Sequence, residues 1–430
     1  MSDIGSSRRA LLGAGVGAGL AAGTAGLTYA AHAGAVPAEP TTGARVIDRL
    51  TEVVPFRGEH QAGIVTAAQN RMHFVALDLV PGTTRTGLQS LLKAWTKATE
   101  RMVLGAEAAP GGVAGGNPLA PPLDTGEAMD LPASALTVTI GYAPSLFDDR
   151  FGLADKCPAA LVELPAFRGD ALDPARSGGD LCIQACANDP QVAVHAVRNL
   201  IRIGAGKVSV RWSQLGFGRT SSTTREQPTP RNLFGYKDGT ANLKAEDVPA
   251  LEEHVWVQPG DVAGGSAWMA GGSYLVARRI RMHIEVWDST NLQEQDAIFG
   301  RRKLKGEPLG GKDEFDAPDF AAKGSDGQPR IAVDSHIRLA HPDQLGGVRI
   351  LRRGYNFTDG TDGLGRLDAG LFFVAFMRNA QEQFVPMQRA LAASDALNEY
   401  IVHKGSALFA CPPGLDPADP DDHWGRSLFA

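Results

Sequence analysis

The order of strand-like and helix-like segments constrains the fold of this chain most tightly. In the first half, apolar residues recur either with the two-residue period of a strand or with the longer period of an amphipathic helix. The segments follow the order strand, helix, strand, strand, helix, strand, at residues 72–79, 84–103, 136–142, 180–187, 191–203 and 208–215. This βαββαβ order predicts a ferredoxin-like unit.

The second half repeats the same order. Its segments are residues 273–287, 292–303, 350–357, 371–377, 381–393 and 400–410. A short sequence match agrees with the repeat, because residues 181–185 align with residues 371–375. We therefore expect an α+β protein of two tandem ferredoxin-like domains with antiparallel sheets, at residues 45–218 and 219–430.

Composition limits the remaining possibilities. A chain of 430 residues has room for two domains with substantial cores. Its formal charge is -6, and no block of basic residues follows residue 35, so nucleic acid is not an expected partner. The segments 106–122 and 306–328 are rich in Gly and Pro, which predicts surface insertions, and residues 219–230 are a plausible connector between the halves.

The four cysteines are too few for a disulfide framework and lack the spacing of a zinc site. If residues 181–187 form a strand, Cys182 and Cys186 lie on one face about 13 Å apart. That separation exceeds the reach of a disulfide, which predicts buried free thiols.

The N-terminus resembles an export signal. Arg8 and Arg9 form a twin-arginine pair, and a weakly apolar, Gly/Ala-rich run follows to about Ala30. The alternatives are a membrane anchor and a general secretory signal, but the run is too weakly apolar for an anchor. We expect a twin-arginine signal peptide at residues 1–35, recognised by the twin-arginine export machinery. The protein would then be extracellular, in the cell envelope or periplasmic.

Three short segments of the second half carry side chains typical of redox chemistry. Residues 232–240 place Asp238 in a glycine-bounded turn, and residues 334–340 place His336 in an apolar, strand-like setting. Paired arginines, Arg352 and Arg353, follow. A histidine that binds iron, an acid that moves a proton and a fixed cation are what peroxide chemistry at a haem requires. Each also has a structural alternative, since Asp-Gly turns are common and lone histidines and arginines are more often structural.

These segments resemble the dye-decolourising peroxidase family, in particular its exported, iron-transporter-associated branch of deferrochelatase-like proteins. The resemblance extends from about residue 54 to residue 413. It implies two ferredoxin-like domains, with haem b bound mainly by the C-terminal half. It also implies a peroxidase that reduces hydrogen peroxide through a ferryl–porphyrin radical and oxidises dyes, phenolic compounds or other one-electron donors.

The resemblance assigns a role to the histidines. His336 falls where the family places its iron ligand, and Asp395 is a candidate acceptor for the second nitrogen of that ring. His341 is the rival ligand. Together with Pro342, it is better interpreted as a residue that lines the haem.

The resemblance places the acid and one of the two arginines on the opposite, distal face of the haem. Asp238 would shuttle a proton between the two oxygens of peroxide, and an acidic activity optimum follows because a carboxylate titrates below a histidine. Strand alternation points Arg352 and Arg353 to opposite faces, so only one can overhang the haem. Alignment with the family through the following aromatic residues favours Arg352, whose cation would stabilise charge on the departing oxygen. Small residues expected to approach the porphyrin closely are Gly239, Thr240 and Ala241.

At one position of the site this chain departs from the family's pattern. Some relatives carry an asparagine two residues after the distal arginine, where this chain has Gly354. The resemblance also implies a tight haem pocket, so that bulky donors would react at the surface through tyrosine or tryptophan relays. Tyr400 is a candidate relay, with a plain buried core residue as the alternative. Residues 55–63 are expected to serve packing and assembly into a homo-oligomer.

Two other functions remain open. The first is a haem-handling protein of iron acquisition, working with iron-uptake permease partners. The second is a non-catalytic exported binding protein in which the motifs are remnants.

Overall fold

Strands from both halves of the chain form one antiparallel sheet. The computed structural model describes residues 49–430. The strands are β1 (Arg71–Leu79), β2 (Thr137–Tyr142), β3 (Leu181–Ala187), β4 (Val208–Arg219), β5 (Ser273–Met282), β6 (Leu351–Arg352), β7 (Tyr355–Thr361), β8 (Leu367–Met377) and β9 (Ile401–Cys411). Their order in the sheet is β5-β9-β2-β3-β1-β4-β7-β8-β6, and β8 also pairs with β5. Eight strands therefore close into a barrel, with β6 added beside β8.

The expected α+β composition and antiparallel sheet are confirmed, but the sheets of the two halves are not separate. The half-sheets meet at two narrow junctions. β2 pairs with β9 through Tyr142 and Ala410, and β4 pairs with β7 through Phe217 and Arg219. Edge strands carry unpaired backbone groups, and joining the two sheets satisfies some of them. Residue patterns within each half do not contain this pairing, which is why the sequence did not predict it.

The first two helices pack on the outer face of the first half's strands. The helices are α1 (Arg85–Met102), α2 (Pro190–Ile203), α3 (Val248–His254), α4 (Ile284–Ser289), α5 (Leu292–Phe299), α6 (His336–Leu339), α7 (Phe384–Ser394) and α8 (Arg426–Phe429). Helix α1 begins after Thr84, whose side chain accepts a hydrogen bond from the Gly87 amide, and α2 begins after Asp189 with a proline in its first turn. No helix within residues 49–430 is long and apolar enough to cross a membrane.

Two apolar clusters lie on the two faces of the sheet. Inside the barrel, alternate residues of the strands pack together, with Phe74, Trp212 and Phe372 in mutual ring contact. Outside it, Trp95 of α1 and Leu200 of α2 pack against the first half's strands. Strand alternation thus divides each strand between a barrel core and a helix-covered face.

Several predicted boundaries in the second half are wrong. The strand predicted over residues 273–287 ends at Met282, and Trp287 lies in α4. The strand predicted over residues 350–357 is interrupted at Arg353 and Gly354 and divides into β6 and β7. His336 begins a helix of four residues rather than lying in a strand-like setting. Such short helices give too few residues for a helical period to be recognised.

The predicted free thiols are confirmed, since Cys157, Cys182, Cys186 and Cys411 are all unpaired. The predicted signal peptide, residues 1–35, lies outside the described residues.

Candidate functional site

A cavity of about 420 Å³ lies in the second half of the chain, against the outer face of β5 and β8. Its volume is in the range of small-molecule and cofactor sites, about 300–1,000 Å³. Most of the site residues proposed from the sequence line it: Asp238, Gly239, Thr240, Ala241, His336, His341, Pro342, Arg352 and Asp395. Arg353 and Tyr400 are not among the lining residues.

His336 is held by a carboxylate from a distant part of the chain. Its Nδ1 lies 2.7 Å from Oδ2 of Asp395, which follows α7. The other carboxylate oxygen of Asp395 accepts a hydrogen bond of 2.9 Å from the Leu397 amide, so the acceptor is itself fixed. This arrangement leaves Nε2 of His336 as the ring nitrogen available to bind a metal.

Two opposing effects set the protonation of His336. Burial lowers its pKa, but the charge of Asp395 and its hydrogen bond act in the other direction and raise the pKa above the usual value. The side chain is nonetheless 31% exposed, because it faces the cavity. An imidazole made more basic in this way is a stronger ligand for iron.

His341 lies in the same wall but is engaged differently. Its Nδ1 accepts a hydrogen bond of 3.2 Å from the Asp343 amide, and its ring packs edge-on against Phe320. No buried carboxylate orients this ring among the described contacts; its ion-pair partner, Asp343, is 75% exposed. His336 is therefore better oriented than His341 to act as a metal ligand.

The Asp238 turn presents its carboxylate to the cavity. The Asp238 amide donates to the Pro230 carbonyl over 2.9 Å, and Gly239 follows with φ +89°, a conformation that favours glycine. One carboxylate oxygen accepts a hydrogen bond of 3.3 Å from the Asn232 side chain. The other accepts from Nη1 of Arg352 over 2.5 Å. The structural and the catalytic interpretations of Asp238 are thus compatible, because its backbone makes the turn while its carboxylate faces the cavity.

Arg352 and Arg353 point to different faces. The pairing of β6 and β7 with β8 keeps one register across the interruption, so alternation continues through both residues. Arg352 faces the cavity, and its backbone forms two hydrogen bonds with Asn242, of 2.8 and 2.9 Å. Arg353 is fully buried toward the barrel interior, where it donates to the Thr66 carbonyl and the Gln69 side chain.

Gly354 has a steric explanation. A Cβ atom built on it would lie 2.8 Å from the Thr220 hydroxyl oxygen, so an asparagine, as found in some relatives, would require Thr220 to move. Asn232 and Asn242 supply amide groups near Asp238 and Arg352 from another segment. Asn232 lies in the segment 232–240, but the sequence does not predict its contact with Asp238.

The segment 306–328, predicted to be a surface insertion, contributes to the cavity wall. It supplies Glu314, whose side chain bonds to Lys237 and, over 3.0 Å, to the Thr240 hydroxyl. Burial raises the pKa of Glu314, but hydrogen bonds from Lys237, Thr229 and Thr240 together lower it below the usual value. No sequence signal marked this carboxylate, because acidic residues are common in surface loops.

The residues present fit a haem. One histidine offers a ring nitrogen, and apolar residues suited to a porphyrin line the cavity: Ile280, Met282, Phe299, Leu371, Phe373 and Met387. Within residues 49–430, no group of three or more His, Cys, Asp or Glu side chains could hold a metal ion. A single protein ligand is what an iron already held by four porphyrin nitrogens needs.

The chain matches known proteins over nearly its whole length. The sequence model described as "Dyp-type peroxidase, N-terminal" matches residues 61–218, and that described as "Dyp-type peroxidase, C-terminal" matches residues 229–416. Proteins named deferrochelatase from Yersinia pestis bv. Antiqua (strain Nepal516) and Escherichia coli (strain K12) are each 38% identical to it. Both alignments cover 98% of this chain, with 95% and 97% of the respective relative.

Solved structures agree with the sequence matches. Ferric DtpA from Streptomyces lividans is 38% identical, with a TM-score of 0.80 over 89% of this chain and 99% of that chain. A DyP-type peroxidase from Cellulomonas bogoriensis is 38% identical, with a TM-score of 0.76 over 88% of this chain and 99% of that chain.

Proposed function

The chain belongs to the Dyp-type peroxidase family and is a haem-dependent peroxidase, and we propose that Asp238, Arg352, His336 and Asp395 carry its reaction. Haem b, when bound, supplies the iron that exchanges electrons with hydrogen peroxide and with the donor. The observation that carries this assignment is one cavity whose wall holds both the His336–Asp395 pair and the Asp238–Arg352 pair.

His336 would bind the iron through Nε2. Asp395 accepts from Nδ1 at 2.7 Å, which fixes the tautomer and the direction of the ring. The raised basicity of the ring would also make it a better electron donor to the metal. His341 and Pro342 would contact the rim of the cofactor, as would Gly239, Thr240 and Ala241.

Asp238 would take the proton from one oxygen of bound peroxide and return it to the other. Its turn holds the backbone, so the carboxylate needs no movement of the chain to do this. Arg352, a permanent cation, would stabilise the negative charge that develops on the departing oxygen. The backbone of Arg352 is fixed by Asn242, which limits the positions its guanidinium can reach.

The absorption spectrum of the purified protein, before and after one equivalent of hydrogen peroxide, tests this function. We expect a haem band that changes with peroxide and returns when a one-electron donor such as a phenol is added. A haem band that does not respond to peroxide would contradict the proposal. Appearance of free iron with an intact porphyrin would instead favour the haem-handling function in iron acquisition.

The finer domain organisation is also a proposal. We infer that the halves, residues 45–218 and 219–430, are each ferredoxin-like units. The strands of the first half lie in the order β2-β3-β1-β4, and those of the second lie in the matching order β7-β8-β5-β9. Expression of each half alone, followed by circular dichroism, would test whether either unit folds by itself.

Export through the twin-arginine route is proposed from Arg8 and Arg9. That route carries folded proteins, which suits an enzyme that receives its cofactor before export. Replacing both arginines by lysine should leave the protein inside the cell, with its haem content unchanged. Release of the variant at the normal level would contradict this route. Iron-uptake permease partners and a homo-oligomer remain predictions from the sequence.

A further inference from the structure

Tyr236 lies beside the cavity and is hydrogen bonded to a buried carboxylate. Its side chain is fully buried in the wall, two residues before Asp238. The phenol donates to Oδ1 of Asp296, in α5, over 2.6 Å. Asp296 is itself 4% exposed. A short bond between a phenol and a buried carboxylate is an arrangement in which the proton has an acceptor directly in place.

The surroundings keep the Tyr236 phenol protonated and partly balance the negative charge of Asp296. Burial raises the pKa of Tyr236, and the adjacent Asp296 raises it further, so the phenol does not lose its proton spontaneously. Asp296 also accepts a hydrogen bond of 2.9 Å from the Lys303 amide and forms an ion pair of 3.3 Å with Arg302. Lys303 places its ammonium 5.4 Å from the centre of the Tyr236 ring.

Aromatic contacts connect Tyr236 to the iron ligand and to the protein exterior. The Tyr236 ring stacks on Phe299 with centroids 4.1 Å apart, and Phe299 lies 6.1 Å from the ring of His336. On the other side, Trp287 lies 5.6 Å from Phe299 and 5.0 Å from Tyr400. The Tyr400 hydroxyl reaches the exposed Glu294 over 3.2 Å.

We propose that Tyr236 is a redox-active tyrosine of this enzyme, with Asp296 as its proton acceptor. Tyr236 gives one electron to the cofactor that hydrogen peroxide has oxidised, and its O–H bond breaks as the proton moves to Oδ1 of Asp296. The products are a neutral tyrosyl radical and a protonated Asp296. An electron from the donor, with the same proton returned, restores Tyr236. The proposal rests on the peroxidase function assigned above.

Tyr400, the relay expected from the sequence, takes a different place in this arrangement. It is outside the cavity wall, and its hydroxyl contacts the exposed Glu294 rather than a buried acid. It is therefore better placed to pass electrons from the surface to Trp287 than to meet the cofactor. Tyr236, in contrast, lines the cavity and donates its hydroxyl to the buried Asp296.

Electron paramagnetic resonance of samples frozen after addition of peroxide tests the proposal. The wild-type protein should give a tyrosyl signal that narrows when the protein contains ring-deuterated tyrosine. The signal should be lost in Tyr236→Phe, which keeps the ring and its stacking on Phe299. Asp296→Asn keeps an acceptor for the Lys303 amide but is not a base, so the radical should form roughly 10²–10⁴-fold more slowly.

Tyr142→Phe is the matched control. Tyr142 is also a buried tyrosine with an aromatic neighbour, but its hydroxyl has no hydrogen-bond partner among the described residues. Its replacement should leave the signal unchanged. An unchanged signal in Tyr236→Phe, or an unchanged rate in Asp296→Asn, would overturn the proposal.

Failure of the underlying function can be distinguished in the same samples. A wild-type haem band that responds to peroxide without any tyrosyl signal would refute the Tyr236 proposal alone. A haem band that does not respond at all would refute the peroxidase function and, with it, the role of Tyr236.

Discussion

Arg352 donates a hydrogen bond of 2.5 Å to Asp238, so the cation and the acid assigned to peroxide chemistry form one ion pair across the cavity wall. Each side chain is partly exposed to the cavity, at 28% for Arg352 and 12% for Asp238. Both side chains can therefore contact a small molecule in the cavity while their ion pair stays intact. Because they act as a unit, their substitutions should not be additive.

The adjacent arginines provide the first prediction. Arg352→Leu should slow the peroxide-dependent change of the haem band roughly 10²–10³-fold, because a preorganised group facing the developing charge is lost. Arg353→Leu should leave that rate near normal. It should instead destabilise the fold by about 1–3 kcal/mol, since the Thr66 carbonyl and Gln69 lose their donor. Stopped-flow absorbance and thermal unfolding of both variants separate the effects, and the reverse pattern of rates would transfer the role to Arg353.

A second prediction concerns Asp238. Asp238→Asn keeps the turn, because its amide still bonds to Pro230 and asparagine is favoured in such turns. The substitution removes the proton acceptor, so the reaction with peroxide should slow roughly 10²–10⁴-fold. The pH–rate profile should also lose its acidic limb. Rates from about pH 4 to 8 span the titration of a carboxylate and a histidine. Superimposable profiles of variant and wild type would show that Asp238 only holds the turn.

Combining Asp238→Asn with Arg352→Leu extends that test. The double variant should be little slower than the slower single variant, since each substitution already breaks the ion pair. Fully multiplicative losses would mean that the two residues act independently.

The third prediction separates the histidines. His336→Ala should lose haem or change its coordination spectrum, whereas His341→Ala should retain both. Asp395→Asn removes the charge that orients and activates His336, and should lower metal affinity or activity roughly 10–100-fold. Haem content and the haem spectrum after purification measure these changes. Unaltered haem in His336→Ala, with loss in His341→Ala, would identify His341 as the ligand.

The fourth prediction is a dependence of stability on pH. Burial lowers the pKa of His73, in β1, from 6.5 to about 4. Well above pH 6.5 this residue is neutral in both folded and unfolded chains and contributes no pH dependence. Between pH 6.5 and about 4 the unfolded chain binds a proton that the folded chain does not, so stability falls as pH falls.

His73→Leu should reduce this acid sensitivity. The slope of unfolding free energy against pH should decrease by at most about 1.4 kcal/mol per pH unit in that interval. Urea unfolding at several pH values measures it, with slopes above pH 7 as the internal control. Identical slopes for variant and wild type throughout would contradict the burial of a neutral His73.

The fold of the first half could be predicted closely, and that of the second half less well. Helix α1 was expected at residues 84–103 and runs Arg85–Met102, because its apolar residues repeat over five turns and Thr84 caps it. Around Trp287 and His336 the helices have six and four residues. At that length local periodicity cannot separate helix from strand, and tertiary packing decides.

For the site, the sequence was enough to predict an imidazole at His336, a carboxylate in the Asp238 turn, and two arginines whose alternation sends them to opposite faces. Local rules suffice there, because turns and strand alternation depend on neighbouring residues. The pairings between these groups could not be predicted, because they depend on the tertiary structure. Asp395 reaches His336 from 59 residues away, and Arg352 reaches Asp238 from 114 residues away. Closure of the barrel and entry of Glu314 into the cavity wall likewise depend on contacts between distant segments, which no local pattern of residues contains.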